Sequence, residues 1–441
     1  MGNTPVILPQ DDEQVDTRQR ALQEARGKYQ LKQHTFGLSA VQQRLVNIVN
    51  IPPMLSKLPK EEKQSLYYKI RFAAQYLFFA LYALFQRLVG CGRQWTIDRM
   101  VQHFRFPCLL KEPKGCEVWR KTAINRQEQT EVGFTHILMD GVSVCMHRNL
   151  SNRHPIYKIL LPHFRYMHAI NIAARDDLLP PGGFIEKDMY IKRVLMIKLI
   201  SKHNENCVYD PIQTSLEKRG AKDIPGYFFK DDALQLEGAI RRFVHQYVTH
   251  YYKNDDRIVK EDEEIQGFYQ ELMAERAMDG SRGCGMNGIP EINSVKNLVD
   301  VLTYFIYTCS VEHSATNFPQ YEQYAFPPNF AALLHGHPED EKADIDAIMP
   351  TREEMFSTIK IMKVLTLVFT NSLGNYEDVY MREMDTDGRN FVAAFQQHLT
   401  EIQNRIDNRN ADIMAGNDPN QLQEYQYEWL LPKNVLNSIS I

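Results

Sequence analysis

The sequence lacks the marks of several large protein classes. It has no Cys-x-x-Cys pair and no uncharged run of the ~20 residues that a membrane-spanning helix needs. Seven scattered cysteines predict reduced thiols in an intracellular protein rather than a disulfide framework. A formal net charge of -4 argues against nucleic acid as a partner, because proteins that follow phosphates carry basic stripes. The polar N-terminus predicts no secretory signal.

What the sequence does contain favours a helical protein with a large core. Its 441 residues are 44% hydrophobic, which suits one large or two ordinary globular domains. We expect a mostly α fold with little strand, near Phe228 and Val379, and no N-terminal β-sandwich. We divide the chain into a polar arm with an apolar helix over 1–117 and a large helical domain over 118–441.

Hydrophobic periodicity predicts the individual helices. Residues 11–33 read as one exposed helix of the arm. Residues 132–150 and 157–179 read as two consecutive helices, the second ending at the chain-breaking segment Pro180–Gly183. Further helices are predicted over 231–252, 261–278, 295–309, 355–371 and 391–409. The segment 295–309 is apolar on nearly all sides, so we expect it at the centre of the core.

The most apolar segment is 66–90, and it has two interpretations. Fifteen residues from Phe72 to Gln86 carry no charge. One interpretation is an ordinary core helix. The other is a membrane-surface helix whose aromatic face dips among lipid headgroups.

His313 and Asn317 are four residues apart, so a helix would place both on one face. An imidazole and an amide oxygen suit iron or manganese better than zinc. Taken alone, a histidine at the end of an apolar helix is more often an ordinary core residue. The surrounding residues 313–321, HSATNFPQY, resemble the lipoxygenase motif HAAVNFGQY. That resemblance implies that His313 and Asn317 bind the metal and that Gln320 steadies them from behind.

Two further motifs agree with this resemblance. Residues 154–165 are similar to the family's H-P-[IL]-[YF]-K-L-L-x-P-H-x-R, which braces the helix lining the fatty-acid channel. Residues 170–175 match I-N-x-x-A-R. The resemblance implies that His154 and Arg175 support or line the substrate channel and that Ala174 steers oxygen. The plainer interpretation of Ala174 is a small residue that lets two helices approach.

The last five residues, NSISI, match the family's N-S-[IV]-x-I at every position. There the α-carboxylate of the terminal isoleucine is an iron ligand, which would be Ile441 here. An apolar last residue makes physical sense, because a free carboxylate in a dry interior needs a cation.

The sequence departs from the family at the first ligand helix. The family writes H-x-x-x-x-H there, and His136, 18 residues before His154, matches the second histidine. The first position holds Glu131, while Gln127 matches a glutamine behind the ligands. Glu131 is an ordinary solvated residue, a metal ligand, or the sign of a chain misassembled here. A short upstream segment also predicts an incomplete N-terminal region, such as a missing exon would leave.

The leading hypothesis is a lipoxygenase-like dioxygenase. The resemblance implies one non-haem iron, with manganese as the alternative, and insertion of O₂ into polyunsaturated fatty acids to give conjugated hydroperoxides. We expect a cytoplasmic monomer that contacts membranes peripherally through 66–90. The alternatives are a lipid-binding relic that has lost turnover and a membrane-anchored helical scaffold built on 72–85.

Overall fold

Helices make up most of the chain in the computed structural model, which describes residues 5–89, 132–205, 208–276, 283–321, 332–335, 348–368, 370–417 and 426–441. The predicted mostly α fold is therefore confirmed. Among the described residues, two short strands form an antiparallel sheet in which Leu31 pairs with Leu55.

The first 65 residues form short elements that lie on the helical body. They are α1 (Val15–Lys28), β1 (Leu31–Lys32), α2 (Ala40–Leu45) and β2 (Met54–Leu55), with 3₁₀ turns at Pro9–Asp11, Ile48–Asn50 and Lys60–Glu62. The prediction of one helix over 11–33 was wrong in length, while most of α1 is exposed as expected. Arg18 and Leu22 are buried because this side of α1 packs against the helix that begins at Val132.

The long helix α3 (Leu66–Val89) follows the arm. Its large side chains between Leu66 and Leu81 are mostly exposed, so the core-helix interpretation is wrong over that part. One face of α3 packs against the rest of the protein, and the opposite face meets solvent. In the ranges that the structure covers, no helix has both the length and the apolarity to cross a bilayer.

Beyond the gap at 90–131, the chain continues as helices. These are α4 (Val132–Asn149), α5 (Pro155–Leu160), α6 (Met167–Asp177), α7 (Phe184–Asp188), α8 (Arg193–Asn204), α9 (Ile212–Lys218), α10 (Phe228–Tyr252), α11 (Asp256–Glu261), α12 (Glu263–Met273), α13 (Val295–Tyr307), α14 (His313–Asn317), α15 (Arg352–Leu365), α16 (Asp378–Glu383) and α17 (Thr386–Met414). A 3₁₀ turn spans Leu161–Phe164, and a π-helical turn spans Thr308–Glu312.

Several predicted boundaries were wrong for local reasons. The single helix expected over 157–179 is divided into α5, a 3₁₀ turn and α6. Pro162 has no N–H for a helical bond, and Tyr166 adopts a left-handed φ of 64°. The strands expected near Phe228 and Val379 are instead helical, in α10 and α16. Phe228 packs partly buried against the core, whereas Val379 is exposed on its helix. At both places the helical context overrides the strand preference of the single residue.

The core forms around α13, as predicted. Its N-terminus is capped by Ser294, whose hydroxyl accepts a bond from the Asn297 N–H, and its residues are buried on most sides. α13 packs along α10, and α10 packs on its other side against α17. Leu8, Tyr29 and Leu55 of the arm share this core with α4. The predicted domain boundary at 117/118 falls outside the described residues and stays a prediction.

Candidate metal centre

A change of helical type brings His313 into the centre of the protein. α13 passes without interruption into the π turn Thr308–Glu312 and then into α14. A π turn holds one residue more than an α turn, so it changes the direction in which the residues after it point. His313 is fully buried, and its ring lies 5.0 Å from the ring of His136 at an angle of 71°.

His136 comes from α4, near the start of that helix. Its Nδ1 lies 2.7 Å from Oδ1 of Asn171 on α6, and Asn171 Nδ2 donates to the main-chain oxygen of His136. Burial lowers the pKa of His136, and burial together with His136 lowers the pKa of His313 well below its usual range. Both rings are therefore neutral near pH 7, the form in which imidazole binds a metal.

The C-terminus reaches the same place from the opposite end of the chain. Ile441 is only 3% exposed, and its main-chain oxygen lies 3.3 Å from Nε2 of His313. Its side chain belongs to a small apolar cluster with Tyr68, Tyr166 and Ile170. The terminal carboxylate is thus held in an apolar interior beside an imidazole.

Hydrogen bonds from remote segments hold the last six residues. Tyr68 on α3 donates to the Ser440 carbonyl at 3.1 Å, and Thr370 bonds the Ser440 hydroxyl at 3.0 Å. His163 Nδ1 donates to the Asn437 carbonyl at 2.7 Å, while the Tyr376 hydroxyl donates to His163 Nε2. The tail therefore has a defined path, which fixes the position of its terminal carboxylate.

The negative charge of the Ile441 carboxylate requires a positively charged group beside it. An unpaired buried carboxylate is costly, yet no lysine or arginine among the described residues forms an ion pair with it. The neighbouring imidazoles are neutral. Nδ1 of His313 is buried and has no hydrogen-bond partner in the ranges that the structure describes. A cation would compensate the charge, so the donor set fits a metal ion.

Asn317 and Gln320 follow on α14 and just beyond it. Asn317 Nδ2 donates to the Leu365 carbonyl at 2.6 Å, which identifies the other amide atom as the oxygen. That oxygen accepts a bond of 2.8 Å from Gln320 Nε2 and keeps a second lone pair. The pairing is consistent with the predicted roles, in which Asn317 binds metal and Gln320 steadies it.

Within the described ranges, no group of three or more His, Cys, Asp and Glu side chains could hold a metal ion. The candidate centre contains two such side chains, His136 and His313. The Ile441 carboxylate lies beside His313, and the Asn317 amide oxygen is a further donor that the family resemblance implies. Glu131 and Gln127 lie outside the described residues, so their predicted roles stay predictions.

The residues predicted to support or line the substrate channel are His154, which precedes α5, and Ala174 and Arg175 on α6. His154 is buried, its Nδ1 caps α5 by accepting from the Ile156 N–H, and its Nε2 is paired with Asp262 at 2.9 Å. Ala174 and Arg175 are partly buried on α6. The substrate roles of these residues remain predictions.

Sequence reasoning missed the residues that support the ligands. Tyr68 stands in no recognisable motif, so nothing in the sequence pointed to it. Asn171 was visible within the I-N-x-x-A-R match, but its role depends on which side chain lies opposite. Such partners come from distant segments and become apparent only in three dimensions.

Known proteins similar to this chain come from one family. The family model described as Lipoxygenase matches residues 132–432. The chain is 32% identical over 348 residues to "Hydroperoxide isomerase ALOXE3" of Rattus norvegicus, which covers 75% of this chain and 47% of that protein. It is 30% identical over 322 residues to "Polyunsaturated fatty acid lipoxygenase ALOX8" of Mus musculus, covering 71% of this chain and 45% of the relative. The chain thus spans about half the length of the curated relatives it matches.

A solved structure shares the fold over almost the whole chain. It is the crystal structure of delta413-417:GS LOX in complex with arachidonate, with a TM-score of 0.80 and 18% sequence identity. The superposition covers 99% of this chain and 83% of that one.

Proposed function

Because this chain belongs to the lipoxygenase family, we propose that it is a dioxygenase that inserts O₂ into polyunsaturated fatty acids to give lipid hydroperoxides. The observation that supports this most is the meeting of His136, His313 and the Ile441 carboxylate in one buried place. These groups come from α4, α14 and the last residue of the chain.

His136, His313, Asn317 and the Ile441 carboxylate would hold a non-haem iron, the metal that the family generally uses, or manganese in its place. When bound, the metal supplies the one-electron chemistry that removes a hydrogen atom from a bis-allylic methylene. The protein's own part is to hold neutral imidazoles and a dry carboxylate in place and to keep water away. Arg175, partly buried on α6, is the cation that we propose for the fatty-acid carboxylate.

The proposal includes contact with a membrane surface. Tyr67, Ile70, Leu77, Phe78 and Leu81 are exposed by 56% or more and recur at helical spacing on one face of α3. Four exposed lysines precede or open this helix: Lys57, Lys60, Lys63 and Lys69. An apolar face with a basic margin fits a bilayer that contains anionic lipids. Such a surface is also where a fatty-acid substrate partitions.

The experiment is to load the full chain with Fe(II), measure metal per chain, and follow conjugated-diene formation from linoleate or arachidonate. We expect about one metal per chain and diene formation that requires O₂. His313→Ala and a variant lacking Ile441 should both lose metal. His335→Ala is the control, because His335 is an exposed histidine paired with Glu354 outside the centre.

Other outcomes identify the alternatives. Consumption of added fatty-acid hydroperoxide without diene formation would match the isomerase name of one relative and contradict the dioxygenase proposal. Metal content well below one per chain, with lipid still bound, would support the relic. In that case Glu131→His should raise the metal content if the rest of the centre is intact.

A further inference from the structure

A buried carboxylate lies directly behind His136. Asp140 is one turn further along α4 and is 1% exposed. Its Oδ1 accepts bonds from Asn171 Nδ2 at 3.0 Å and from His168 Nδ1 at 2.9 Å, and its Oδ2 accepts from the Leu55 N–H at 2.6 Å. We call Asp140, Asn171 and His168 the Asp140 network. Of these three residues, only Asn171 contacts His136 directly.

The network fixes the orientation of the Asn171 amide. Its Nδ2 has two acceptors, the Asp140 carboxylate and the main-chain oxygen of His136. If the amide were reversed, its oxygen would face both of these oxygens with no hydrogen between them. The negative charge of Asp140 therefore holds the amide oxygen of Asn171 towards the His136 ring.

The orientation of Asn171 in turn fixes the proton on His136. The amide oxygen lies 2.7 Å from His136 Nδ1 and can only accept a hydrogen bond. Nδ1 must therefore carry the proton, and the lone pair of the neutral ring must lie on Nε2. A ligand histidine whose second nitrogen donates in this way is oriented and made more basic.

We propose that Asp140, acting through Asn171, is a positioning residue that holds His136 as the Nδ1–H tautomer, with Nε2 free for the metal. The statement about the tautomer stands on the hydrogen bonds alone. Its link to the metal rests on the proposed function, because only that proposal makes His136 a ligand.

The chain contains a matched pair that serves as a control. Asp262 and His154 form a second fully buried Asp–His pair, also at 2.9 Å. Asp262 caps α12 through the N–H groups of Glu264 and Ile265 and accepts from the Tyr252 hydroxyl. The bonds of this pair lead to helix ends and not to His136. Substitution of Asp262 should therefore cost stability without changing the His136 tautomer.

The test uses the full chain, freed of metal by a chelator and labelled with ¹⁵N-histidine. Long-range ¹H–¹⁵N NMR spectra report the tautomer of each ring, and His136→Gln assigns the His136 signals. We expect the Nδ1–H tautomer in the parent and a mixture of tautomers in Asp140→Leu. Asp140→Asn, which keeps an acceptor but no charge, should lie between them, and Asp262→Leu should match the parent.

A second measurement follows Fe(II) affinity under anaerobic conditions against a competing chelator. Asp140→Leu should bind Fe(II) about 10- to 100-fold more weakly than the parent, and Asp262→Leu should bind it within about twofold. If Asp140→Leu does not fold, Asn171→Ala replaces it, because that change leaves the Asp140–His168 and Asp140–Leu55 bonds in place.

The outcomes separate this proposal from the proposed function. A parent that binds neither iron nor manganese refutes the function, while the metal-free spectra still decide the tautomer. An unchanged His136 tautomer in both Asp140→Leu and Asn171→Ala overturns the positioning role, whatever the activity. An equal shift in Asp262→Leu would overturn it too, because the effect would then be general loosening.

Discussion

At the scale of single residues, Arg18 is a buried charge that joins the N-terminal arm to the helical body. Its guanidinium donates to Glu264 on α12 through Nε and Nη2, to Asp12 at 3.0 Å, and to the Ile7 carbonyl at 3.1 Å. Both carboxylates are nearly inaccessible to solvent. Glu264 therefore depends on this guanidinium for compensation of its charge, while Asp12 is paired with both Arg18 and Arg153, each at 3.0 Å.

Replacing Arg18 by methionine should be strongly destabilising. The side chain would still fill the space, but buried Glu264 would lose its cation and Asp12 would keep only Arg153, at a cost of about 3–5 kcal/mol. The free energy of unfolding in urea measures this loss. Arg20→Met is the control, because Arg20 is exposed on the same helix and, within the described part of the chain, bonds only the Asp16 carbonyl. Equal stability of the two variants would contradict the assignment.

The ion pair between Arg18 and Asp12 predicts that the stability of the protein depends on pH. Burial alone would raise the pKa of Asp12, but bonds from the Gln14 N–H and Arg18, together with the charge of Arg153, outweigh burial and lower it from 3.8. A lowered folded-state pKa contributes stability above the unfolded value, which is lost as the pH falls through the folded value. The free energy of unfolding should therefore differ most between the parent and Arg18→Met at pH 6, and the difference should become smaller below about pH 4. Urea titrations at several pH values measure the difference in unfolding free energy between the two proteins. A difference that stays constant as the pH falls would contradict this prediction.

At the scale of elements, the π turn between α13 and α14 decides where the ligands point. α13 is held on several sides by the core, so its rotation is fixed. The extra residue of the π turn then sets the direction of His313 and Asn317 relative to that fixed helix. Nothing in the residue pattern of this stretch distinguishes a π turn from a continuous α-helix.

Deleting Ser310 should convert the π turn to α-helix. His313 and Asn317 would rotate by about 100° relative to α13, since each residue of an α-helix turns by that angle. We expect loss of bound metal with helix content by circular dichroism nearly unchanged. Ser310→Ala is the control, because it keeps the length and removes only the hydroxyl bond to the Ile306 carbonyl. A deletion variant that retains the parent's metal content would disprove this role.

At the scale of the whole molecule, α3 connects the surface with the centre. Its buried face carries Tyr68, which packs 4.9 Å from Tyr166 and donates to the peptide before the terminal carboxylate. Its opposite face exposes Ile70, Leu77 and Phe78. One helix therefore presents an apolar surface outside and supports the candidate ligand inside.

If this face meets lipid, polar substitutions on it should weaken vesicle binding. The triple variant Ile70→Ser/Leu77→Ser/Phe78→Ser should bind phosphatidylserine-containing vesicles more than tenfold more weakly, because burial of each such side chain is worth about 1.5–3 kcal/mol. Binding by the parent should also fall at high salt. Cosedimentation measures both effects, with Val41→Ser/Leu45→Ser on α2 as control, since those side chains are equally exposed.

Unchanged vesicle binding by the triple variant would rule out this face as the membrane contact. If the parent instead elutes as a dimer and the triple variant as a monomer, the face belongs to a second copy of the chain. That result would also contradict the predicted monomer.

The sequence alone determined the helical class, the central helix at 295–309 and the family. The candidate ligands His136, His313, Asn317 and Ile441 were also predictable. These features depend on residue type at short spacing or at the chain end, and such patterns can be recognised without knowing what lies opposite. The buried position of the last residue followed from the same kind of pattern.

Only the tertiary structure decided the π turn, the division of 157–179 at Pro162 and Tyr166, and the exposure of α3. It also decided that Tyr68 holds the tail and that Asp140 lies behind His136. The physical reason is that a hydrogen bond or a buried face belongs to two surfaces at once. The local sequence specifies one of these surfaces, and a segment far along the chain supplies the other.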